Sequence, residues 1–175
     1  IVVDHLVALL RNAPPAPWLP KERHGTPIVA ILACHSGDPA AGERAVLPIK
    51  SFGSPIGDVL VRRPYAQMQS LLDATQPKGR RYYWKSEYLP GLEPALLQGM
   101  IEHGRTIPSP LSALILFALG EAVGRLPNEH SAVGNRDARY MTAFAGQWLV
   151  DAPDDEHVAW VREAWKSVRP FSTGG

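Results

Sequence analysis

Apolar and polar positions alternate along the chain in a pattern that predicts helices and strands in turn. Residues 2–12 carry one apolar helical stripe, which predicts a first helix, formed by Val3, Leu6, Val7, Leu9 and Leu10. The proline-rich stretch 14–20 ends this helix, because each proline removes a backbone donor. The apolar, β-branched run 27–35 predicts a strand, and Asp38 then predicts the N-cap of a helix over residues 39–50.

The same alternation continues to the end of the chain. The predicted elements are a strand at 57–62, a helix at 64–73, a strand at 79–88, a helix at 93–104, two longer strands at 112–125 and 138–150 joined by a polar loop, and a last helix capped by Asp151 or Asp154. Five strands and five helices in one domain, 1–175, favour an α+β fold: a largely antiparallel sheet with helices packed on one face. The sequence shows no internal repeat.

The last two strands are apolar on both faces. Leu114, Leu116 and Ala118 alternate with Ile115, Phe117 and Leu119, and the second strand has large apolar side chains on both faces as well. A sheet with helices on one side only needs apolar residues on a single face. The other face is therefore predicted to contact a second domain, a ligand or a partner chain.

Composition and charge exclude several classes of partner. The 175 residues include 45% hydrophobic residues, enough for a core, and 18 Lys plus Arg against 17 Asp plus Glu give a net charge of +1. We therefore expect no nucleic-acid partner, and the longest apolar stretch, Leu111–Leu119, is too short to span a bilayer, so we expect no membrane partner. The ends, Ile1 and Gly175, suggest a piece of a longer protein.

The usual catalytic signatures are absent from the sequence. It contains no GxSxG, GxxxxGK[ST] or GxGxxG motif, and its six histidines include no HxH, HxxxH or HExxH pair. Cys34 and His35 are neighbours on a predicted strand and point to opposite faces, so they form no dyad. The sequence predicts no catalytic residue and no metal site, and a chain that does not catalyse alone.

Residues 79–89 differ from the rest in carrying three aromatic side chains and a lysine on a polar strand. Alternation places Tyr82, Trp84 and Ser86 on one face and Tyr83, Lys85 and Glu87 on the other. Such a surface suits stacking and hydrogen bonding to a ligand, and it equally suits a cross-strand aromatic ladder with a solvated lysine.

This stretch and its surroundings resemble the substrate (cap) domain of FAD-linked oxidases of the berberine-bridge-enzyme and glucooligosaccharide-oxidase type. No single piece is diagnostic, but their order and spacing across nearly the whole chain are specific. The matching pieces are Cys34-His35-Ser36-Gly37-Asp38, Gly42-Glu43-Arg44, residues 64–69, Tyr82-Tyr83-Trp84-Lys85-Ser86, Ile107-Pro108-Ser109-Pro110, Leu119-Gly120, Asn135-Arg136-Asp137 before Tyr140, and residues 169–175.

The resemblance implies a parent protein with two domains. An FAD-binding domain of the same parent chain would be the partner of this cap, and FAD would be the cofactor, with its main binding elements outside residues 1–175. The implied reaction oxidises an alcohol or amine carbon of a small-molecule substrate by hydride transfer to the flavin. Many bacterial relatives in that family are cytoplasmic or secreted, so the resemblance leaves the localisation open.

The resemblance also implies a substrate pocket, and residue chemistry selects its candidates. We expect the pocket to be lined by Tyr83, Lys85, Phe117 and Glu121, with Tyr140 and Gln147 behind them. Two departures from the family pattern fall near it: Gly120-Glu121 where relatives often have Gly-Gly, and Asn135-Arg136 where many have His-Arg.

Two further hypotheses remain open at this stage. A stand-alone α+β binding or dimerisation module would use its second sheet face to pair with another copy. A small independent enzyme would assemble a histidine or carboxylate site from distant residues, although the missing signatures count against it.

Overall fold

The chain forms a five-stranded antiparallel sheet with two long helices packed on one face. The computed structural model describes residues 5–119, 124–132 and 134–174. Its strands are β1 (His5–Asn12), β2 (Pro27–Cys34), β3 (Arg81–Leu89), β4 (Ala113–Ala118) and β5 (Tyr140–Trp148). Its α-helices are α1 (Pro39–Lys50), α2 (Tyr65–Gln69), α3 (Pro94–Arg105) and α4 (Asp154–Val168), with short 3₁₀ turns at Lys21–Arg23, Asp73–Thr75, Asn128–His130 and Arg169–Phe171.

The strand order in the sheet is β2-β1-β4-β5-β3, and every neighbouring pair is antiparallel. Helix α4 packs on β3 and β5, and α3 packs beside α4 near β1 and β4. The α+β fold expected from the sequence is thus confirmed, including the pairing of the last two strands.

The core lies between the sheet and these two helices. Phe144 is fully buried at its centre, opposite Leu114 on one neighbouring strand and Lys85 on the other. The helices close over it with apolar side chains at three- and four-residue spacing, namely Leu96 and Met100 of α3 and Trp160, Val161, Ala164 and Val168 of α4. The apolar side of each helix and the strand side chains that face it therefore form one core layer.

The predicted first helix is wrong, because residues 5–12 form strand β1. The short apolar run 6–10 fits both a helical stripe and a strand, and the local pattern does not distinguish the two. In the sheet, β1 is an internal strand: it pairs with β2 on one side, from Leu6 opposite Ala33 to Asn12 opposite Pro27, and with β4 on the other. Pairing on both sides favours the extended form. The predicted contribution of Val3 lies outside the described residues.

Four local predictions also need correction. The strand expected over 112–125 ends at Ala118, and residues 124 and 125 belong to no strand. Residues 57–62 form no strand; Asp58 accepts a hydrogen bond from the backbone of Leu60 and pairs with Lys50, which stabilises an irregular loop. The helix expected over 64–73 ends at Gln69. The last helix begins at Asp154, so neither Asp151 nor Asp154 is its N-cap; Pro153 occupies that position and provides no side-chain cap. The Asp154 carboxylate accepts a hydrogen bond from the indole N–H of Trp148 at 2.9 Å.

The start of α1 follows its sequence signal. The Asp38 carboxylate accepts a hydrogen bond from the backbone N–H of Ala41 at 2.7 Å, and Pro39 occupies the first helical turn. The helix ends at Lys50 as predicted and contains Pro48.

The close packing of α4 on β5 requires a glycine at position 146. A Cβ atom there would lie 2.8 Å from the carbonyl oxygen of Tyr83 and 2.8 Å from a methyl group of Val161. We expect Gly146→Ala to lower the free energy of unfolding by about 1–3 kcal/mol through overpacking. Urea denaturation of the variant measures this.

Gly99→Ala is the matched control for that variant. Gly99 lies within α3, and its added Cβ would come no closer than 3.9 Å to the Ser167 hydroxyl. Replacing a helical glycine should stabilise the protein by about 0.5–1 kcal/mol. Equal effects from the two alanines would contradict the packing described for Gly146.

Candidate functional site

The face of the sheet away from α3 and α4, here called the distal face, carries the candidate site. The cross-strand register places Trp84 opposite Ala145, Ser86 opposite Ala143, and Phe117 opposite Met141. Because directly paired residues share a face, β3, β4 and β5 together present one continuous apolar and aromatic surface.

A cavity of about 220 Å³ opens on this surface. It is lined mainly by apolar and aromatic side chains, and Ser86 adds a hydroxyl group. Lys85 borders the cavity although its ammonium lies on the opposite face of the sheet. The lining residues are Trp84, Lys85, Ser86, Ile115, Phe117, Met141 and Ala143. An apolar hollow with few polar groups is typical of a site for a small organic molecule.

A wider and more open recess of about 540 Å³ adjoins this cavity, and Trp84 lines both. The second recess lies between β3 and the segment that follows α2, where Gln76, Pro77, Lys78 and Tyr82 form its wall. Trp84 is 48% exposed, so one face of a large aromatic side chain is available at the junction of the two hollows.

Two side-chain hydrogen bonds attach that segment to the sheet. Buried Gln147 donates from Nε2 to the carbonyl oxygen of Thr75 at 3.1 Å, and the Tyr82 hydroxyl donates to the carbonyl oxygen of Pro77 at 2.6 Å. Gln147 therefore holds the segment that forms one wall of the wider recess, and this segment covers the Gln147 side chain.

The other face of β3 is committed to packing with α4. Lys85 Nζ lies 3.8 Å from the ring centroid of Trp165, and the guanidinium of Arg169 lies 4.9 Å from the same centroid. Cations over an indole ring gain electrostatic attraction from its π-system. Buried Glu87 accepts a hydrogen bond from the Ser172 hydroxyl at 2.5 Å, and its Oε1 lies 3.8 Å from Nε of Arg169. These contacts fix the end of α4 on β3.

Tyr83 belongs to the same helix-side layer. Its hydroxyl oxygen accepts a hydrogen bond from Arg162 Nε at 3.3 Å, and the Arg162 guanidinium lies 5.6 Å from the tyrosine ring centroid. The hydrogen bond, with the positive charges of Arg162 and Lys85, holds the pKa of Tyr83 below its ordinary value.

The structure thus separates the pocket residues expected from the sequence into two groups. Phe117 and Gln147 lie on the distal face, whereas Tyr83, Lys85 and Tyr140 lie on the helix side, where Tyr140 packs against the core. Glu121 lies outside the described residues. The cavity residues that sequence reasoning did not select are Trp84, Ser86, Ile115, Met141 and Ala143.

A signal for the missed residues was present in the alternation of β3 and β4. Alternation places Trp84 and Lys85 on opposite faces of β3, and Phe117 and Leu116 on opposite faces of β4. It does not say which residues of β3 share a face with which residues of β4. Only the register, with Phe117 opposite Met141 and Trp84 opposite Ala145, joins them.

Clusters of metal-ligating side chains and helices able to span a membrane are not found in the part of the chain that the structure describes. Histidine, cysteine, aspartate and glutamate side chains come together there in no group of three able to hold a metal ion. No helix among residues 5–119, 124–132 and 134–174 is long and apolar enough to cross a membrane.

Removing the Arg162 guanidinium should restore the titration of Tyr83. We expect Arg162→Gln to raise the pKa of Tyr83 toward the ordinary tyrosine value of about 10. Ultraviolet difference titration measures it, with Tyr83→Phe to assign the signal. Lys166→Gln, on the same helix but paired with Glu163, should leave the titration unchanged. An unshifted Tyr83 in the Arg162 variant would show that the hydrogen bond has no influence on it.

Comparisons with known proteins confirm the resemblance seen in the sequence. No protein-family model matches the chain. An FAD-linked oxidoreductase of Dictyostelium discoideum is 24% identical over 148 residues, which cover 83% of this chain and 33% of that protein.

Two solved structures have the same fold as this chain. Berberine bridge enzyme from Eschscholzia californica superposes with a TM-score of 0.74 at 13% identity, over 97% of this chain and 35% of that one. Aclacinomycin oxidoreductase superposes with a TM-score of 0.68 at 19% identity, over 94% of this chain and 32% of that one. The chain therefore spans about a third of the length of the FAD-linked oxidoreductase it matches and has the fold of the corresponding part of berberine bridge enzyme.

Proposed function

We propose that residues 1–175 form the substrate-binding cap domain of an FAD-dependent oxidoreductase. The observation that carries this proposal is the distal face: an apolar, aromatic sheet surface with a hollow of about 220 Å³, on the side that α3 and α4 leave uncovered. A contiguous exposed apolar surface usually marks a ligand-binding site or a contact with another protein domain. A small-molecule substrate and the FAD-binding domain of the same parent chain are the proposed cover.

The distal face is better suited to contact the planar ring system of FAD than to bind the phosphate groups of FAD. Trp84 and Phe117 offer aromatic surface, while the sequence contains neither of the glycine-rich motifs that hold phosphate groups. FAD bound in the parent protein would supply a two-electron acceptor for an alcohol or amine carbon. The pyrophosphate would be held by residues outside this chain.

The residues of this chain would bind and orient the substrate. Trp84 and Phe117 would contact its apolar or aromatic part, and the Ser86 hydroxyl would hydrogen-bond a polar group on it. Gln147 would hold the wall of the wider recess. In this arrangement Tyr83, Lys85 and Tyr140 support the sheet from the helix side and do not reach the substrate.

A visible absorption spectrum of the full-length protein that contains this chain tests the proposal. We expect a flavin spectrum in the purified protein, and colour retained in an acid-precipitated pellet would identify covalent attachment. A folded full-length protein that is colourless, and stays so after incubation with FAD, would rule out the flavin role and favour the binding or dimerisation module.

Kinetics of two variants test which face of the sheet meets the substrate. In the full-length enzyme, with the alcohol or amine that it oxidises, we expect Phe117→Ala to raise KM about tenfold through lost apolar contact. Lys85→Met removes the ammonium that lies over Trp165 but keeps an unbranched side chain of similar length, and it should change kcat/KM less than about twofold. The reverse pattern would mean that the helix side, and not the distal face, meets the substrate.

A further inference from the structure

One nucleophilic side chain on the distal face has no part in the proposed function. Met141 of β5 lines the hollow of about 220 Å³, and among the described residues that line it only Met141 carries a sulfur atom. A thioether sulfur is a nucleophile that peroxides convert to a sulfoxide. The hollow therefore contains a side chain that can be modified chemically where a ligand would bind.

Met141 lies between two aromatic residues of the neighbouring strands. The register pairs it with Phe117 on β4 and with Tyr88 on β3. Directly paired side chains of antiparallel strands have Cβ atoms about 5 Å apart, and sulfur gains favourable contacts with aromatic rings. These surroundings suit an apolar thioether and disfavour a polar sulfoxide.

The other two of the three methionines lie elsewhere and serve as internal references. Met100 is 2% exposed in the core. Met68 of α2 is half-buried, as Met141 is, and it lines neither the hollow nor the wider recess. A peroxide that enters from the solvent reaches Met68 and Met141 alike, whereas a peroxide that forms in the hollow reaches Met141 first.

The proposed function supplies such a peroxide. FAD that has been reduced by the substrate passes two electrons to dioxygen, which becomes hydrogen peroxide at the ring system. The distal face is the surface proposed to cover that ring system, and Met141 is part of it. The oxidant and the sulfur would therefore share one enclosed space.

We propose that Met141 is the residue at which the enzyme is oxidised by the hydrogen peroxide that it produces. The O–O bond of the peroxide breaks, one oxygen atom bonds to the methionine sulfur, and the other leaves as water. The sulfur loses two electrons and the peroxide gains them, so the step needs no further reactant. This inference rests on the proposed function, because the peroxide comes from the flavin.

Oxidation of Met141 would weaken substrate binding. The sulfoxide places a polar oxygen beside Phe117, where the apolar part of the substrate is proposed to bind. In the oxidised enzyme we expect KM for its alcohol or amine to rise about tenfold while kcat changes less than about twofold, as for lost uniform binding. Each turnover in air would thus carry a small chance of inactivating the enzyme.

Peptide mass spectrometry of the full-length holoenzyme tests the inference without a known substrate. One equivalent of dithionite under nitrogen reduces the bound FAD, and air is then admitted with catalase in the solution to destroy released peroxide. The cycle is repeated. We expect the peptide that contains Met141 to gain about 16 Da, one oxygen atom, at least tenfold faster than the peptides that contain Met68 and Met100.

A second sample receives hydrogen peroxide in solution, with neither dithionite nor catalase. There we expect Met68 and Met141 to be oxidised at rates within about threefold of each other, and Met100 much more slowly, because exposure governs the reaction. Equal rates for Met68 and Met141 in the reduction cycles, or oxidation of neither, would overturn the inference. The same preference for Met141 in both samples would also overturn it, since that preference would then come from reactivity and not from the place where the peroxide forms.

Two leucine variants provide a second measure. Met141→Leu keeps a similar apolar volume and removes the sulfur. During turnover in air we expect it to lose its own initial activity at least about threefold more slowly than the unchanged protein does. The matched control, Met68→Leu, should lose activity as fast as the unchanged protein. Equal rates of loss in the two variants would contradict the inference.

Failure of this inference and failure of the proposed function give different results. A full-length protein that stays colourless with FAD overturns both. A protein whose FAD is bleached by dithionite and recovers its colour in air, with Met141 unmodified, overturns the inference alone. So does a protein whose reduced FAD is stable in air, because no peroxide then forms.

Discussion

The packing of α3 and α4 on one face of the sheet determines the rest of this structure. Phe144 is buried where the two helices and three strands meet, and Gly146 lets α4 approach β5 closely enough to bury Val161. Alternate side chains of a strand point to opposite faces of the sheet. The position of these helices therefore decides which residues of each strand lie under a helix and which lie on the distal face. Tyr83, Lys85 and Glu87 become contacts of α4, and Trp84 and Ser86 become surface.

The position of the helices explains why the two faces of β3, a strand rich in aromatic and charged residues, have different roles. Lys85 and Arg169 lie over Trp165, and Arg162 lies over Tyr83, so cations and aromatic rings hold the helix on the edge strand without a fully apolar contact. On the reverse side the neighbouring residues remain free to form the hollow with Phe117. A change on the helix side can therefore alter stability or the pKa of Tyr83 while the distal face keeps its shape.

Two helices cover only part of a five-stranded sheet. Sheet strands lie about 4.8 Å apart and packed helices about 10 Å apart, so each helix covers roughly two strands. Neither α3 nor α4 packs on β2, and Val29 and Ile31 of that strand are exposed.

The sequence by itself determined the elements with strong local signals. Asp38 and Pro39 start α1, the spacing of Val161, Ala164 and Val168 marks α4, and alternation marks β3, β4 and β5. Tertiary structure decided what the local pattern left open. Residues 5–12 became a strand because neighbours on both sides pair with them, and the expected pocket divided because register joins Phe117 to Trp84 and not to Lys85. Pairing and register involve residues far apart in the chain, and their free energy is gained only when the whole sheet forms.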